Sequence, residues 1–268
     1  MTFRPKENRI LAALEKGEVP LGMQVYTGNP SMIEILAYTG FDYYMLDMEH
    51  SRVNVETMEH CIRAADAAGI TTVVRVTENN PSLIRHAMEV GALGVVVPHV
   101  ETAEEARRAV EAIRYPPEGK CGMCGCIRSA GYKGAGYMEY SNENVMLIPL
   151  LEDKNGIENA EEIFAQLKPG LDAVGIGRGD LSASLRTKPG EVMGMQHPYI
   201  SEAYDKVVAI SRKRNIPIID NVFGPEDAKT MLDRGINILL YMIDQWHFYN
   251  VCEDIVRTVK GLQPYHTR

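Results

Sequence analysis

Short apolar runs rich in β-branched residues alternate along this chain with longer amphipathic stretches. The short runs are typical of buried parallel strands, and the longer stretches, with apolar residues every three or four positions, are typical of helices. The predicted strands are Leu21–Val25, Asp42–Leu46, Thr71–Val76, Gly94–Val97, Val145–Leu151, Asp172–Ile176, Ile216–Ile219 and Ile236–Tyr241. The predicted helices that follow them are Pro30–Tyr38, Asn54–Ala68, Pro81–Val90, Ala103–Ile113, Ile157–Gln166, Tyr199–Arg214, Pro225–Asp233 and Trp246–Leu262.

This alternation indicates an α/β fold with one parallel sheet and right-handed crossovers. Eight strand–helix units in 268 residues favour a closed (β/α)8 barrel over an open doubly wound sheet. A further helix at Asn8–Glu15 is expected to close the bottom of the barrel. No change of composition divides the chain, so residues 1–268 are interpreted as a single domain. Two stretches, Tyr115–Glu143 and Arg186–Pro198, are long enough to suggest functional loops.

The charge balance excludes some classes of partner. The formal net charge is −8, from 36 acidic and 28 basic residues, which argues against a nucleic-acid ligand. No run approaches the roughly 20 apolar residues that span a bilayer, so no membrane partner is expected. The polar N-terminal stretch lacks the apolar centre of a signal peptide, and the five cysteines are an odd number. We therefore expect a reduced, cytoplasmic protein.

Candidate metal ligands follow two neighbouring strands. Barrel enzymes carry their chemistry where strands end at the carboxyl face, and Glu152 and Asp180 follow the fifth and sixth predicted strands. Two carboxylates at such positions suit a hard divalent cation, with water and substrate completing the coordination. The alternative is that each carboxylate caps the helix that follows it.

Asp47, Glu49 and His50 come directly after the second predicted strand. A carboxylate beside an imidazole can fix its tautomer and raise its basicity, so His50 is a candidate general base. Arg75 is a charge inside an otherwise apolar strand, and its planar fork suits a substrate carboxylate or an enolate oxygen. The alternatives are a loop histidine without a catalytic function and a structural ion pair, for example between Arg75 and Glu49.

Three other kinds of chemistry are disfavoured. Cys121, Cys124 and Cys126 have no evident fourth thiolate nearby, so this segment is interpreted as a loop of small residues. No lysine lies within a predicted strand, and Lys154 is expected in a solvated turn, which disfavours a Schiff base. The segment GIGRGD lacks the full spacing of a dinucleotide-binding fingerprint. Metal-assisted enolisation is the chemistry that these residues favour.

The chain resembles a known family in the segments GFDYYMLDMEHS, VVRV, VVVPHVETAEEARRAVEAIRYPPEG, LLEDKNGIENAEEI and GIGRGDLSASL. From about Ile10 to Leu262 it is similar to the metal-dependent class II pyruvate aldolases of the HpcH/HpaI type. These include the 2-keto-3-deoxy sugar acid aldolases and 4-hydroxy-2-oxo-heptanedioate aldolase. The patterns DxEH, RYPPEG and GxxDLS are its most specific parts. The resemblance implies a barrel of the phosphoenolpyruvate/pyruvate-binding type.

The resemblance also implies roles for the residues that match. Glu152 and Asp180 match the metal ligands of the family, and His50 matches its base, paired with Asp47. Glu49 matches a residue that holds water on the metal. One divalent ion per subunit, Mg²⁺, Mn²⁺ or Co²⁺, is implied as the cofactor.

Substrate-binding roles follow in the same way. Arg75 matches the arginine that binds the pyruvate oxygen, and the main-chain N–H groups around Gly179 and Asp180 match those that bind the pyruvate carboxylate. Leu150 stands where the family usually has a glutamine, and Arg178 where it usually has a proline. Arg178 either adds a positive charge for an acidic acceptor aldehyde or pairs with a neighbouring acid.

Two more positions around the expected pocket depart from the family pattern. An aromatic residue is usual near the position of Gln24, and the family usually reads RG where this chain has Lys120-Cys121-Gly122. The matches to metal ligands and base are retained, so the resemblance still implies enolate chemistry. The departures leave the identity of the acceptor aldehyde open.

The sequence thus predicts a carbon–carbon lyase that cleaves a 4-hydroxy-2-oxo acid to pyruvate and an aldehyde. One alternative is an oxaloacetate-type decarboxylase, or another lyase, that uses the same enolate. The other is a barrel that binds a keto acid without catalysis. The family implies a homo-oligomer, a trimer or a hexamer, in which the last helix is exchanged with a neighbouring subunit. Trp246, Phe248 and Tyr249 suit that contact, and packing on their own barrel is the alternative.

Overall fold

The strands of the computed structural model form a closed parallel barrel, which confirms the predicted (β/α)8 fold. The structure describes residues 5–186, 188, 191, 194 and 197–261, so most of the predicted long loop Arg186–Pro198 lies outside the described residues. Each strand pairs with the next along the chain, and the last pairs with the first. The strands are β1 (Leu21–Val25), β2 (Tyr43–Asp47), β3 (Thr71–Arg75), β4 (Gly94–Val97), β5 (Met146–Leu151), β6 (Val174–Ile176), β7 (Ile218–Val222) and β8 (Ile238–Tyr241).

Helices surround the barrel, and their ends follow local signals in the sequence. Asn29, Asn54 and Asn80 each cap a helix with the side chain, and left-handed Gly69 and Gly91 end two of them. None of the described helices combines the length and apolarity needed to cross a bilayer. The helices are α1 (Arg9–Glu15), α2 (Pro30–Tyr38), α3 (Val55–Ala68), α4 (Pro81–Val90), α5 (Ala103–Ile113), α6 (Tyr137–Asn144), α7 (Lys154–Glu158), α8 (Ala160–Phe164), α9 (Arg178–Ser184), α10 (Pro198–Arg214), α11 (Pro225–Arg234) and α12 (Asp244–Lys260).

Several elements differ in their bounds or composition from the predicted ones. The single helix expected at Ile157–Gln166 is two short helices, α7 and α8, which meet at Asn159. The long stretch Tyr115–Glu143 contains most of α6. Strand β6 begins two residues later than expected, because the Asp172 carboxylate accepts hydrogen bonds from the main-chain N–H groups of Leu147 and Lys168 and so belongs to a turn.

Alternation along the strands places the functional residues inside the barrel mouth. Tyr43 and Met45 of β2 pack in the barrel interior, so Asp47 follows them inward at the carboxyl end. Val73 of β3 has the same orientation, which directs Arg75 inward beside Asp47. At the opposite end Ile10 of α1 is fully buried in the same cluster, so α1 closes the bottom as the sequence predicts.

Candidate active site

A cavity of about 250 Å³ opens at the carboxyl ends of the strands. This is the face on which barrel enzymes carry their chemistry. The charged or titratable acid, histidine and arginine side chains among its described lining residues are His50, Arg75, Glu152, Arg178, Asp180 and Asp220. Five of these six are residues that the sequence predicts for the site, so the fold brings together candidates that lie far apart along the chain.

Arg75 and Asp47 form a buried ion pair across β2 and β3. Asp47 Oδ2 accepts from Arg75 Nε at 2.7 Å and from Arg75 Nη2, and it also accepts from Gln24 Nε2 at 2.9 Å. Burial disfavours the charged guanidinium, but the attraction of Asp47 and Glu49 outweighs it and raises the pKa of Arg75. Arg75 therefore stays a cation, held in one orientation at the wall of the cavity.

Asp47 reaches His50 through the main chain rather than through the imidazole ring. Its other oxygen, Oδ1, accepts the main-chain N–H groups of Glu49 at 3.0 Å and His50 at 2.8 Å. The ring of His50 lies beside Glu49 instead, with Nε2 3.7 Å from Glu49 Oε2, and it is half exposed. Asp47 thus contacts His50 through its main chain and fixes the conformation of this loop, whereas the predicted pairing was with the ring. The carboxylate beside the imidazole is that of Glu49.

His99, which sequence reasoning overlooked, links two carboxylates of the site. Its Nε2 lies 3.4 Å from Glu49 Oε1, and its Nδ1 lies 3.2 Å from Glu152 Oε1. Its main-chain N–H also donates to Glu152 Oε1 at 2.7 Å, from a left-handed conformation with φ of 52°. The signal was available, because His99 is a polar residue just after β4 and the rule applied to the other strand ends finds it.

Glu152 is buried at the base of the cavity with 2% of its surface exposed. The cap of α7 is its neighbour Asp153, which accepts from the N–H of Gly156 at 2.8 Å, so capping does not explain Glu152. Burial raises the pKa of Glu152, whereas the N–H of His99 favours the carboxylate and lowers it. Its nearest titratable neighbours also include Asp180, whose charge raises this pKa further.

Asp180 lies in the first turn of α9 and is not its cap. The N-cap is Gly177, which has no side chain with which to bond the first N–H groups. A Cβ at Gly177 would lie 2.5 Å from both Cβ and Oε2 of Glu152, so only glycine lets the chain turn this close to Glu152. The alternative of two capping carboxylates is therefore wrong for both Glu152 and Asp180.

The donor set at this point fits a hard divalent cation. Glu152 and Asp180 offer carboxylate oxygens, which such a cation prefers as ligands, and burial raises the pKa of Glu152. Within the described ranges no group of three or more His, Cys, Asp or Glu side chains is arranged to hold a metal. An ion held here would depend on two carboxylates and on oxygen atoms from water and substrate, as is common for Mg²⁺.

Arg178 is paired with neighbouring acids, which decides between its two predicted roles. Nη2 lies 3.1 Å from Asp227 Oδ2 and donates to the main-chain oxygen of Asn221, and Nε lies 3.6 Å from Asp220 Oδ1. The guanidinium also stacks over Phe223 at 5.1 Å from the ring centre. Burial opposes the charge, but Asp220 leads the neighbours that outweigh it and raise the pKa of Arg178.

Asp220 points away from the barrel axis. Ile219 of β7 packs in the barrel interior, so alternation turns Asp220 toward the helix layer, where it accepts from the hydroxyl of Tyr204 on α10. Burial raises the pKa of Asp220 to about 6, although Arg178 and Tyr204 both favour its carboxylate. Arg178 is therefore drawn outward, toward a carboxylate that lies behind the sheet.

Uncharged polar groups complete the cavity. The Tyr26 hydroxyl lies 3.4 Å from both Gln24 Nε2 and Arg75 Nη2, and burial raises its pKa to about 12, so it stays protonated. Asp244, the first residue of α12, fixes this loop because its carboxylate accepts the N–H groups of Tyr26 at 2.9 Å and Thr27 at 3.2 Å.

Leu150 and Cys121, two further departures from the family pattern, differ in whether they line the cavity. Leu150 lines the cavity and covers Gly175, where a glutamine would bring an amide. Cys121 is buried outside the cavity, and Cys124 and Cys126 are exposed. Leu150 thus belongs to the site, and the cysteine loop does not line it.

Comparison with known proteins agrees with this geometry. Residues 21–250 match the sequence model of the family described as HpcH/HpaI aldolase/citrate lyase. A Pseudomonas putida protein named 2-dehydro-3,6-dideoxy-6-sulfogluconate aldolase is 32% identical over 253 residues, covering 93% of this chain and 96% of that protein. A Klebsiella pneumoniae protein named 5-keto-4-deoxy-D-glucarate aldolase is 31% identical over 261 residues, covering 94% and 97%. The crystal structure of an HpcH/HpaI aldolase/citrate lyase family protein from Burkholderia cenocepacia superposes with a TM-score of 0.85 at 27% identity, covering 95% and 100%.

Proposed function

Because this chain belongs to the HpcH/HpaI aldolase/citrate lyase family, we propose that it reversibly cleaves a 4-hydroxy-2-oxo acid to pyruvate and an aldehyde with one divalent metal ion. Membership makes it an enzyme of the aldolase and lyase group. The observation that carries the finer proposal is the buried Glu152, turned into the cavity near Asp180 and away from any capping role. A divalent ion held by these carboxylates would supply Lewis acidity that stabilises an enolate oxygen.

Arg75 is the group of this chain that would bind the keto oxygen. Its Nε and Nη2 are held by Asp47, and its Nη1 lies 3.1 Å from Glu49 Oε2. Each terminal nitrogen carries two hydrogens, so Nη1 can bond Glu49 and still donate to a substrate oxygen. A donor fixed in this way stabilises developing negative charge without rearranging during the reaction.

The start of α9 would bind the carboxylate of pyruvate. The main-chain N–H groups of Gly179 and Asp180 lie in the first helical turn, where no carbonyl of the same helix can accept from them. Such N–H groups favour an anion, and they lie beside Glu152, which contacts the N-cap glycine. Pyruvate would then lie between α9 and Arg75.

His50 would move the proton. Its ring is half exposed at the mouth of the cavity, and Asp47 fixes the loop that carries it. Glu49 Oε2, 3.7 Å from Nε2, is the carboxylate oxygen beside this ring. In the cleavage direction His50 would take the proton of the 4-hydroxyl group, and in condensation it would return it to the new alcohol.

The substrates named for the two relatives support a sugar-acid skeleton for the substrate of this chain. Both names denote six-carbon 2-oxo acids, since the keto group written as C5 in the second name becomes C2 when the chain is numbered from its other end. Aldol cleavage of such an acid gives pyruvate and a three-carbon aldehyde. We expect the substrate here to share the pyruvate half, since Arg75, Glu152 and Asp180 line the same cavity.

The test is pyruvate release from a panel of 4-hydroxy-2-oxo acids and oxaloacetate, after chelation and with Mg²⁺, Mn²⁺ or Co²⁺ added back. We expect release from at least one hydroxy-oxo acid, lost on chelation and restored by metal. Release from oxaloacetate alone would instead identify the decarboxylase. No release from any compound would contradict the proposed aldolase.

Replacing Glu152 by alanine should abolish metal binding and turnover, because it removes the buried carboxylate. Metal content can be followed by calorimetric titration with Mn²⁺, independently of activity. Asp153→Asn is the matched control, since that neighbouring residue caps α7 and an amide oxygen can still accept the N–H of Gly156. Metal-dependent turnover in Glu152→Ala would sink the assignment.

We also infer that the chain forms a homo-oligomer, a trimer or a hexamer, through α12. Among the 17 residues of this helix only Asp244 is buried, and the apolar residues include Phe248, 69% exposed, and Val259, 78% exposed. Trp246, Phe248 and Tyr249 are 45%, 69% and 63% exposed, so much of their surface is available for a contact with a second subunit. An apolar helix face of this length favours burial against a second subunit.

Charged substitutions on this face should reduce the molecular mass in solution. We expect Phe248→Glu and Val259→Glu to sediment as smaller species than the unaltered protein, because each places a carboxylate in the proposed interface. Glu253→Gln, on the same helix, is the control and should leave the mass unchanged. An unaltered protein that sediments as a monomer would contradict the inference.

A further inference from the structure

The aldehyde half of the substrate has its own wall of the cavity. In the proposed function, pyruvate uses Arg75, Glu152 and the start of α9. His50 is used for proton transfer, and the described lining residues that remain are contributed mainly by β1, β7, β8 and the turns that follow them. Their polar or large members include Gln24, Tyr26, Arg178, Asp220, Asn221, Phe223 and Met242. The charged members of this set are Arg178 and Asp220, which lie 3.6 Å apart, and the others are uncharged at neutral pH.

Arg178 is not available to a negatively charged acceptor. One cation faces two carboxylates, Asp227 at 3.1 Å and Asp220 at 3.6 Å, and also holds the main-chain oxygen of Asn221. This group of three side chains has a net charge of −1 when both acids are ionised. An anion that approached Arg178 would have to displace these partners and would be repelled by both of them.

From this arrangement we infer that the acceptor is an uncharged, hydroxylated aldehyde, such as a short hydroxyaldehyde. This rests on the aldolase function proposed above and names its substrate class. The two relatives differ in this respect, because the names of their substrates include a second acid, a sulfonate in one and a carboxylate in the other. This chain would share their pyruvate chemistry and reject their acidic acceptors.

A buried polar atom without a partner favours hydroxyl groups over an apolar acceptor. Within the part of the chain that the structure describes, Asn221 Oδ1 is buried without a hydrogen-bond partner. Asn221 follows Ile219 at two residues along β7, so it faces the barrel interior. A hydroxyl group both donates and accepts, so it can pair with an acceptor such as Asn221 Oδ1 and with the Tyr26 hydroxyl, whereas an alkyl group cannot.

The test compares acceptors of the same carbon skeleton in condensation with pyruvate. Glyceraldehyde is matched with tartronate semialdehyde, and glycolaldehyde with glyoxylate, so that each pair exchanges CH₂OH for a carboxylate. We expect kcat/KM for the neutral member to be higher by about tenfold or more. Propionaldehyde, which lacks the hydroxyl groups, should fall below glyceraldehyde. Equal or better use of the anionic members would overturn the inference.

Exchange of the pyruvate methyl protons in D₂O separates this inference from the proposed function. Exchange requires the enolate but no acceptor, so it reports on the pyruvate half alone. Metal-dependent exchange together with a preference for anionic acceptors would overturn the acceptor class and leave the aldolase in place. Absence of both exchange and condensation would overturn both.

Two substitutions should shift acceptor preference in opposite directions. Asp227→Asn removes one negative charge beside Arg178, so we expect the neutral-to-anionic ratio of kcat/KM to fall about tenfold. Arg178→Met leaves both carboxylates uncompensated, so the ratio should rise. Asp233→Asn, exposed at the other end of α11, is the control and should leave the ratio unchanged. If Asp227→Asn and Arg178→Met both leave the ratio unaltered, the pairing of Arg178 does not set the acceptor class.

Discussion

Two arginines face the mouth of this barrel, and each is held by two acids, yet they lie in different layers. Arg75 ends β3, points inward, and is fixed by Asp47 beside it on the neighbouring strand β2. Arg178 begins a helix and is drawn outward by acids on β7 and α11. The first arrangement presents a cation to the cavity, and the second uses its cation to join α9 to β7 and α11.

The difference shows why an arginine near a pocket is not by itself an anion site. What matters is whether its partners leave a donor directed at the ligand. Arg75 Nη1 has one acid partner at 3.1 Å and two hydrogens, whereas the contacts of Arg178 lead behind the sheet. The former would serve the reaction and the latter the choice of acceptor.

The sharpest test of this contrast is Arg75→Lys. A lysine keeps the charge but cannot bond Asp47 twice and also donate to the substrate, so kcat/KM should fall by roughly a thousandfold. Arg178→Lys should change the pyruvate proton exchange by less than about tenfold, because its partners lie outside the pyruvate half. Near-normal cleavage by Arg75→Lys would refute the role of Arg75.

Asp220 should make the free energy of unfolding depend on pH. Its pKa is raised to about 6 in the fold, so the folded state binds more protons than the unfolded chain between about pH 4 and pH 6. The stability that protonated Asp220 provides relative to its ionised form is fully present below pH 4 and is lost as the pH rises through 6. The free energy of unfolding falls by about 3 kcal/mol in all. Urea unfolding at several pH values should show a shallower decline in Asp220→Asn than in the unaltered protein or Asp233→Asn. Parallel slopes for all three would contradict the raised pKa.

The smallest expected effect concerns His99. Asparagine tolerates the left-handed backbone found there, and the main-chain N–H that bonds Glu152 is retained. We expect His99→Asn to change stability by no more than about 0.5 kcal/mol. His99→Val should be less stable by about 1–2 kcal/mol, since a β-branched residue is strained at this φ. Thermal unfolding measures both, and equal midpoints would contradict the backbone argument.

Much of the fold was predictable because hydrophobic periodicity and capping signals are local. The bounds of α2, α4 and α5 agree with the predicted helices, and β1 and β4 agree with the predicted strands. The late start of β6 was not predictable, because it depends on a hydrogen bond from the main-chain N–H of Leu147, 25 residues away, to Asp172. The break at Asn159 likewise interrupts an apolar pattern that reads as one helix.

For the candidate site, the sequence predicted which residues lie there but not which side chains they contact. Position after a strand was enough to find Asp47, Glu152 and Asp180, since the carboxyl ends of all strands meet at one face. Partners were harder: the sequence could not tell that Asp153 caps α7, or that Arg178 reaches Asp227, 49 residues away. These pairings depend on side-chain direction, which single-residue patterns do not encode.

The bare backbone at Gly177 has an evolutionary consequence. Every mutation of a glycine codon that changes the residue adds at least one carbon atom, and here that atom would meet Glu152 at 2.5 Å. No other residue fits at this position without moving Glu152. Substitutions are therefore expected at neighbouring positions whose side chains can be exchanged. Gln24, Leu150 and Arg178 line the cavity and depart from the family pattern, so we expect changes of acceptor to arise at such positions.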